Sequence, residues 1–268
     1  MGGLNKLKLE YFDLLSPEPT PLYRMINSKP EKIGTLKPIT PRMIAKTIGF
    51  TDYNWNLSVL LLNVPNYFEL IGKKDEYTAL SDEQKQSLDI FDIITTDIGI
   101  REMIEKSLSF FMCETVKYID KYKSFITLEE VEFEGDTFEC VVGAINNDLY
   151  SQIVSSILQL NGIHPKDELT CKVSKKAQML LDKINKAKEQ IAKNNNSSQD
   201  MELANIMSKL SAKHNSINIL NIWDMTIYQI YDQFNEQNHQ NIINIKEMNY
   251  SYAGGDFDAT EWYKRLNK

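Results

Sequence analysis

The sequence predicts an α+β protein that is predominantly helical, with a small antiparallel β-hairpin region and an all-helical C-terminal half. Helix-capping residues and apolar residues spaced three and four apart recur along most of the chain. The period changes to two only between about Tyr122 and Val142, around the turn signal Gly135-Asp136. From Asn147 onward the pattern is again helical. These observations divide the chain into residues 1–146 and residues 147–268.

Composition limits the class of protein. The 268 residues are 42% hydrophobic and 25% charged, which is ordinary for a globular chain, and the net charge of −7 argues against a globally basic nucleic-acid binder. Three cysteines without a CxxC pattern indicate buried thiols in a reducing compartment. The N-terminus lacks the apolar stretch of a signal peptide, and the run 57–64 is too short to span a membrane. We therefore expect a soluble intracellular protein.

The N-terminal half begins with a proline-rich segment, LSPEPTPL (15–22), which predicts an extended, irregular strap on the surface. A docking motif is the alternative interpretation. Thr40-Pro41 predicts the start of a helix, and a second helix should cover 52–63 and stop before Pro65. The capping box that begins at Ser81, and Asp97 as an N-cap, predict further helices.

The segment FITLEEVEFEGDTFECVV predicts a β-hairpin with Gly135-Asp136 as its two-residue turn. Six acidic residues and no basic residue lie between Glu129 and Glu139. Because two strands alone are marginally stable, the hairpin must pack on helices or join other strands.

The C-terminal half predicts a helix over 148–160 that ends at Asn161-Gly162, then a lysine-rich helix capped by Ser174. The run NNNSSQ (194–199) is expected to form a flexible polar linker, and MELANIMSKLSAKH (201–214) predicts an amphipathic helix after it.

An aromatic segment, residues 215–234, reads NSINILNIWDMTIYQIYDQF. Asn221 is the predicted N-cap of a helix that runs towards Tyr252 and ends at Gly254-Gly255, before a last short helix, ATEWYKRL. The apolar residues at helical spacing should be buried; they are Trp223, Ile227, Ile230 and Phe234. We expect partner-binding aromatic residues beside them and at the C-terminus, namely Tyr228, Tyr231, Trp262 and Tyr263. The alternative is that the whole helix is core.

Catalytic motifs do not occur in the sequence. There is no P-loop, dinucleotide-binding glycine pattern, H-E-x-x-H motif or nucleophile elbow. His164, His214 and His239 each stand without a second ligand at helical or hairpin spacing, and Asp89/Asp92 fit a solvated helix face. We therefore expect no enzymatic activity, no cofactor and no metal site.

Seven lysines and two acids lie between Lys172 and Lys193. A basic patch formed by Lys175, Lys176, Lys183 and Lys186 could contact nucleic-acid phosphates. The stretch lacks the arginines and interleaved aromatics of base-reading surfaces, which favours a solvated helix packed in a helical hairpin. A third interpretation pairs it with the acidic hairpin, within one molecule or across an interface.

From about residue 150, the chain resembles the tail assembly chaperones of bacteriophages that infect Gram-positive bacteria. The resemblance rests on YSQIVSSILQLNGI, the lysine-rich stretch with its Asn/Ser break, SAKHNSINILNIWDMTIYQIYDQF, Ala253-Gly254 and EWYKRL. It implies a non-enzymatic helical protein of the host cytoplasm that binds the tape-measure or tail-tube protein. It implies no membrane contact and leaves open whether the protein associates with itself. The chain is longer than the short form of such chaperones, and the hairpin is an unexpected addition. The alternatives are therefore a permanent virion component of tail, neck or baseplate, or a nucleic-acid-binding regulator that uses residues 175–193.

Overall fold

The computed structural model describes residues 7–133, 135–163, 202–254, 257–258 and 260–261. The chain divides into two compact units, Met1–Ile163 and His164–Lys268. The described elements are mostly helices, with two small antiparallel sheets, which confirms the predicted α+β class. The helix at 147–160 belongs to the first unit, and the division into domains at residue 146 stays a prediction.

The first unit contains nine described helices and five described strands. In chain order they are α1 (Tyr11–Leu15), β1 (Thr20–Ile26), β2 (Lys29–Leu36), α2 (Pro41–Lys46), α3 (Gly49–Leu60), α4 (Val64–Leu70), α5 (Lys74–Ala79), α6 (Asp82–Ser87), α7 (Ile90–Thr96), α8 (Ile98–Phe111), β3 (Thr115–Ile119), β4 (Ser124–Phe133), β5 (Asp136–Ile145) and α9 (Asn147–Leu160).

The predicted helix starts are confirmed where a side chain can bond the free amides of the first turn. The Thr40 hydroxyl accepts from the Met43 amide, Ser81 and Gln84 form a capping box, and Asp97 accepts from the Ile100 amide. The predicted end of the second helix is imprecise. Helix α3 ends at Leu60, and Pro65 lies in the first turn of α4, where its missing N–H costs no hydrogen bond.

The proline-rich segment is only partly a strap, because its end forms β1. Strand β1 contains Pro21 and pairs with β2 from Thr20↔Leu36 to Ile26↔Lys29, with a register shift at Leu22/Tyr23. A proline is tolerated in a strand whose N–H faces away from the ladder, as on this two-stranded sheet. The prediction of irregular structure is therefore wrong from Thr20 onward.

The second sheet has the order β3-β4-β5 and confirms the predicted hairpin. Asp136 pairs with Phe133 and is the first residue of β5, so the predicted turn is displaced by one residue; Gly135, with φ of +89°, remains in it. Strand β3, which was not predicted, pairs with β4 from Thr115↔Leu128 to Ile119↔Ser124. The hairpin therefore joins a third strand, as the stability of two-stranded sheets requires.

The two sheets meet at Gly143 of β5. A Cβ atom at Gly143 would lie 2.6 Å from the Ile33 Cα atom and 2.6 Å from the Lys32 carbonyl oxygen, so only glycine allows this approach. The Thr127 hydroxyl donates to the Ile33 carbonyl oxygen at 2.6 Å. The buried Glu114 carboxylate adds a second link, because it accepts from the Thr35 amide and hydroxyl and pairs with Lys32.

The core of the first unit lies between the second sheet and helices α3, α7, α8 and α9. Phe91, Phe125 and Tyr150 form one cluster of ring contacts within it. Tyr53 of α3 donates to the Asn161 side-chain oxygen at 2.9 Å, and both residues are buried. Helix α9 ends after Leu160, and Gly162 adopts φ of +73°, as its predicted role after the C-cap requires.

The described part of the second unit is helical, as predicted. It contains α10 (Leu203–Lys213), a short 3-10 helix (Ile222–Asp224) and α11 (Ile227–Ala253). Buried Leu203, Ile206, Met207 and Leu210 form the apolar face of α10, which packs against α11. Gly254, at φ of +68°, ends α11 in the predicted place. Within the described residues, no helix is both long enough and apolar enough to cross a membrane.

Candidate protein-binding surfaces

The aromatic segment is not one helix, and Asn221 is not the cap of α11. The Thr226 hydroxyl accepts from the Gln229 amide at 3.1 Å, and the Gln229 side-chain oxygen accepts from the Thr226 amide at 2.9 Å. This capping box starts α11 at Ile227, which leaves Trp223 and Asp224 outside it. The T-x-x-Q pattern is present in the sequence and marks the true start.

Asn221 instead braces the loop that precedes α11. Its side-chain oxygen accepts from the Asn218 amide at 2.8 Å, and its side-chain nitrogen donates to the Ser216 carbonyl at 2.9 Å. The Asn218 side chain in turn accepts from the Leu220 amide at 2.9 Å. Asparagine often holds turns in this way. The braced loop exposes Ile219 by 54% and Leu220 by 79%.

The predicted burial of the aromatic segment is correct for some residues and wrong for others. Ile227 and Ile230 are buried, as predicted. Trp223 is 37% exposed, because it lies before the helix, and Phe234 is half-buried. Tyr228 is only 3% exposed, so its predicted position at the boundary between core and surface is wrong. Tyr231 is half-buried, and this burial raises the pKa of its phenol.

The roles assigned to these residues stay predictions. Tyr228 offers a partner little surface, whereas half-buried Tyr231 remains accessible. Trp262, Tyr263 and the four lysines of the predicted basic patch (Lys175, Lys176, Lys183 and Lys186) lie outside the described residues. So do the 194–199 linker, His164 and Cys171.

The C-terminal half of α11 carries an exposed apolar stripe that was not predicted. Ile245, Met248 and Tyr252 lie at i, i+3 and i+7 and are 57%, 55% and 91% exposed. At ~100° per residue they lie roughly 140–200° around the helix from buried Ile243. The stripe and Ile243 therefore face opposite ways, and the stripe is left free to contact another molecule. The i, i+3, i+7 spacing in the sequence could have revealed it.

Residues after Gly254 return to this end of α11. The Tyr250 and Phe257 rings are 6.2 Å apart, and the Lys246 ammonium lies 2.6 Å from the Glu261 carboxylate. At ~100° per residue, Tyr250 and Lys246 lie nearer to the Ile243 side of the helix than to the stripe, whose three residues stay exposed.

Two clefts lie beside α7. The charged residues that line them bond to neighbouring residues of the fold. In one, the Arg101 guanidinium lies 3.1 Å from the Asp120 carboxylate and over the Tyr118 ring. In the other cleft, the Asp89 carboxylate caps α7 by accepting a hydrogen bond from the Phe91 amide. The prediction that Asp89 lies on a solvated helix face is therefore wrong. Asp97 accepts from the Tyr67 hydroxyl; burial, and then this hydrogen bond, raise the pKa of Tyr67.

The predicted role of the cysteines is partly wrong. Cys113 and Cys140 are exposed rather than buried. Among the described residues, no group of three or more histidines, cysteines or acids is placed to hold a metal ion. The His214 imidazole Nδ1 accepts from the Ser216 and Ile217 amides, which is a structural role in the turn after α10.

The fold and these surfaces define a mostly helical α+β chain with exposed apolar elements suited to protein contacts. Residues 192–267 match the family model described as YomV second domain, a phage-derived family. The match covers a little over a quarter of the chain, includes all of α11 and suggests a phage protein. No curated protein and no solved structure matches the chain.

Proposed function

We propose that the chain is a non-enzymatic phage morphogenesis protein, an assembly chaperone or adaptor that binds the tape-measure or tail-tube protein during tail assembly. Two features support it. The first is the match to a phage-derived family, and the second is the resemblance of the C-terminal half to tail assembly chaperones. Such a protein acts through protein contacts alone.

The observation that carries the proposal is the exposed stripe of α11. A helix in water normally turns its apolar stripe to the core of its own protein. Here Ile243 makes that contact, and Ile245, Met248 and Tyr252 present a second apolar face to solvent. An exposed stripe at this spacing fits an apolar groove or a partner helix, which is a common mode of helix recognition. The stripe also lies within the residues that match the phage family.

The binding test uses the full chain and the purified tape-measure and tail-tube proteins of the same phage. Ile245→Ser/Met248→Ser should weaken binding to one of them by about tenfold or more, because exposed apolar anchors dominate such interfaces. Since both residues are exposed, the double variant should keep the helical content of the parent. Isothermal titration calorimetry measures the affinity.

The matched control is Ile219→Ser/Leu220→Ser, which removes two exposed apolar side chains elsewhere in the same unit. It should leave the affinity within about twofold of the parent. Equal weakening by the two double variants would argue against the stripe as the binding surface. Absence of binding to both tail proteins would overturn the proposed function.

Peptide mapping of purified phage particles separates this function from that of a permanent virion component. A chaperone should be absent from mature particles, whereas a component of tail, neck or baseplate should be present in fixed stoichiometry. Peptides from both units are needed, because proteolytic removal of one unit would otherwise resemble absence.

A further inference from the structure

The end of the β4–β5 hairpin projects beyond the rest of its sheet. We call this part the arm: residues 129–133 of β4 and 136–141 of β5. Strand β3 pairs with β4 only as far as Leu128, and the contact of β5 with β2 is at Gly143. Every described residue of the arm is exposed, so both faces of the ribbon are in solvent.

One face of the arm is apolar at its centre. Val131 pairs directly with Phe138, and Phe133 is the next residue on the same face, since side chains alternate along a strand. These three residues are 43%, 51% and 64% exposed. Contiguous apolar side chains on a projecting element, with polar residues around them, are typical of interaction sites.

The opposite face of the arm is acidic towards its tip, with Val141, 68% exposed, at its base. Glu130 pairs directly with Glu139, and Glu132 follows on the same face. The Lys117 ammonium, on the neighbouring strand, lies 2.6 Å from the Glu139 carboxylate and offsets part of this charge. Glu130 and Glu132 extend beyond the reach of β3, which ends its pairing at Leu128.

Neither face stabilises the arm on its own. A ribbon of two strands without cover is marginally stable, and like charges placed directly opposite each other across two strands are destabilising. Phe133 and Phe138 stay 64% and 51% exposed, so each gains only part of the burial that a core position would give. A bound partner would supply both missing contributions, burial for one face and opposite charge for the other.

Charge decides which partner fits. Nucleic acid and anionic membrane surfaces would be repelled by Glu130, Glu132 and Glu139. The arm of a second copy would bring the same three carboxylates to the contact. A surface with lysine or arginine beside an apolar groove complements both faces.

We propose that the arm is a docking element for a basic protein partner, in whose cleft Val131, Phe133 and Phe138 pack on an apolar wall while Glu130, Glu132 and Glu139 pair with lysine or arginine. The site lies in the first unit and is formed by residues other than those of the α11 stripe. It therefore goes beyond the proposed function and does not depend on it.

The test places a photo-crosslinking phenylalanine analogue at position 138 of the full chain in phage-producing cells. The same analogue at position 12, an 83% exposed phenylalanine of α1, is the control. Position 138 should give one defined crosslinked product, and mass spectrometry should map the crosslink to another protein, in a segment with an excess of lysine and arginine. Position 12 should not give this product.

A charge variant tests the complementarity. Glu130→Gln/Glu132→Gln/Glu139→Gln keeps the size of the side chains and should lower the crosslinking yield by about tenfold, as the loss of several exposed charge pairs predicts. Asp75→Asn/Asp82→Asn/Glu83→Gln removes three exposed charges elsewhere in the first unit and should change the yield by less than about twofold.

Three outcomes would overturn the proposal. They are no crosslink from position 138, a crosslink to an acidic or neutral segment, and a crosslink to this chain itself, including its lysine-rich stretch 172–193. Because the readout is independent of tail proteins, the arm can bind a basic partner even if the α11 stripe binds neither tail protein. Failure of one proposal is therefore distinguishable from failure of the other.

Discussion

At the scale of single residues, Gly143 shows how one missing side chain brings two sheets together. The nearest atoms to a Cβ at this position belong to the backbone of β2, and backbone cannot rotate away as a long side chain can. Gly99 of α8 differs, because a Cβ there would meet the Asp97 carboxylate at 3.5 Å, an ordinary contact distance. The two glycines therefore predict opposite effects of the same substitution.

Gly143→Ala should destabilise the protein by about 1–3 kcal/mol, the usual cost of overpacking a well-packed contact. Gly99→Ala should be neutral or stabilise by up to about 1 kcal/mol, since alanine restricts the unfolded chain and fits the helix. Urea unfolding at neutral pH measures both free energies. A Gly143→Ala variant as stable as the parent would show that β2 and β5 can separate without loss.

Tyr150 gives the first unit a dependence on alkaline pH. Burial among Phe91 and Phe125 raises the pKa of its phenol well above the ordinary value near 10. Above that ordinary value the unfolded chain loses a proton that the folded chain retains. Stability is therefore fully present below about pH 10 and falls as the pH rises, by about 1.4 kcal/mol per pH unit from this group.

Tyr150→Phe keeps the ring contacts and removes the titrating group. Between about pH 10 and 11 its free energy of unfolding should fall by about 1 kcal/mol less than that of the parent, since the unfolded phenol is about half ionised at pH 10. Urea unfolding at several pH values provides the comparison, and lysines and other tyrosines contribute equally to both proteins. Parallel curves would contradict the assignment to Tyr150.

At the scale of elements, the start of α11 is set by Thr226. Its capping box bonds two backbone amides that would otherwise lack partners, and Thr226 is 2% exposed. Asn221, five residues earlier, bonds only within the preceding loop. The cap and the loop brace are therefore separate structures within one aromatic segment.

Thr226→Ala should cost about 1 kcal/mol of helix stability, the typical value for loss of an N-cap hydroxyl. The Gln229 amide donates a hydrogen bond to the Thr226 hydroxyl, so its hydrogen exchange should become faster in the variant. Thr226→Ser should preserve the protection, and Asn221→Ala should not change it. Equal acceleration by Asn221→Ala and Thr226→Ala would mean that the loop and the helix form one cooperative segment.

At the scale of the whole molecule, each unit carries an exposed apolar element of its own. In the first unit it is the arm of the β4–β5 hairpin, with Phe133 and Phe138; in the second it is the α11 stripe, with Ile245 and Met248. The family match covers the second unit from residue 192 and does not extend to the first unit. An acidic arm on one unit and an apolar stripe on the other would suit an adaptor that holds two partners, as the proposed function requires.

The sequence by itself determined those features whose cause is local. Helix caps at Thr40, Ser81 and Asp97, and the glycine signals at Gly162 and Gly254, depend on bonds between residues at most five apart in the chain. The alternation around Val131 is likewise local, and it predicted the hairpin. The T-x-x-Q box at Thr226 was equally readable, but the pattern at Asn221 competed with it.

Only the tertiary structure decided what distant residues do to one another. Strand β1 contains a proline and β3 is short, so neither has a strong local signal, and each exists because a partner strand satisfies its backbone. The burial of Tyr228 and the exposure of Ile245 depend on which side of α11 packs against α10. Helical spacing in the sequence identifies an apolar stripe, but it does not show which element packs on that stripe. The bare arm arises in the same way, because the pairing of β4 with β3 ends at Leu128, and nothing in the alternating pattern of β4 shows where that pairing ends.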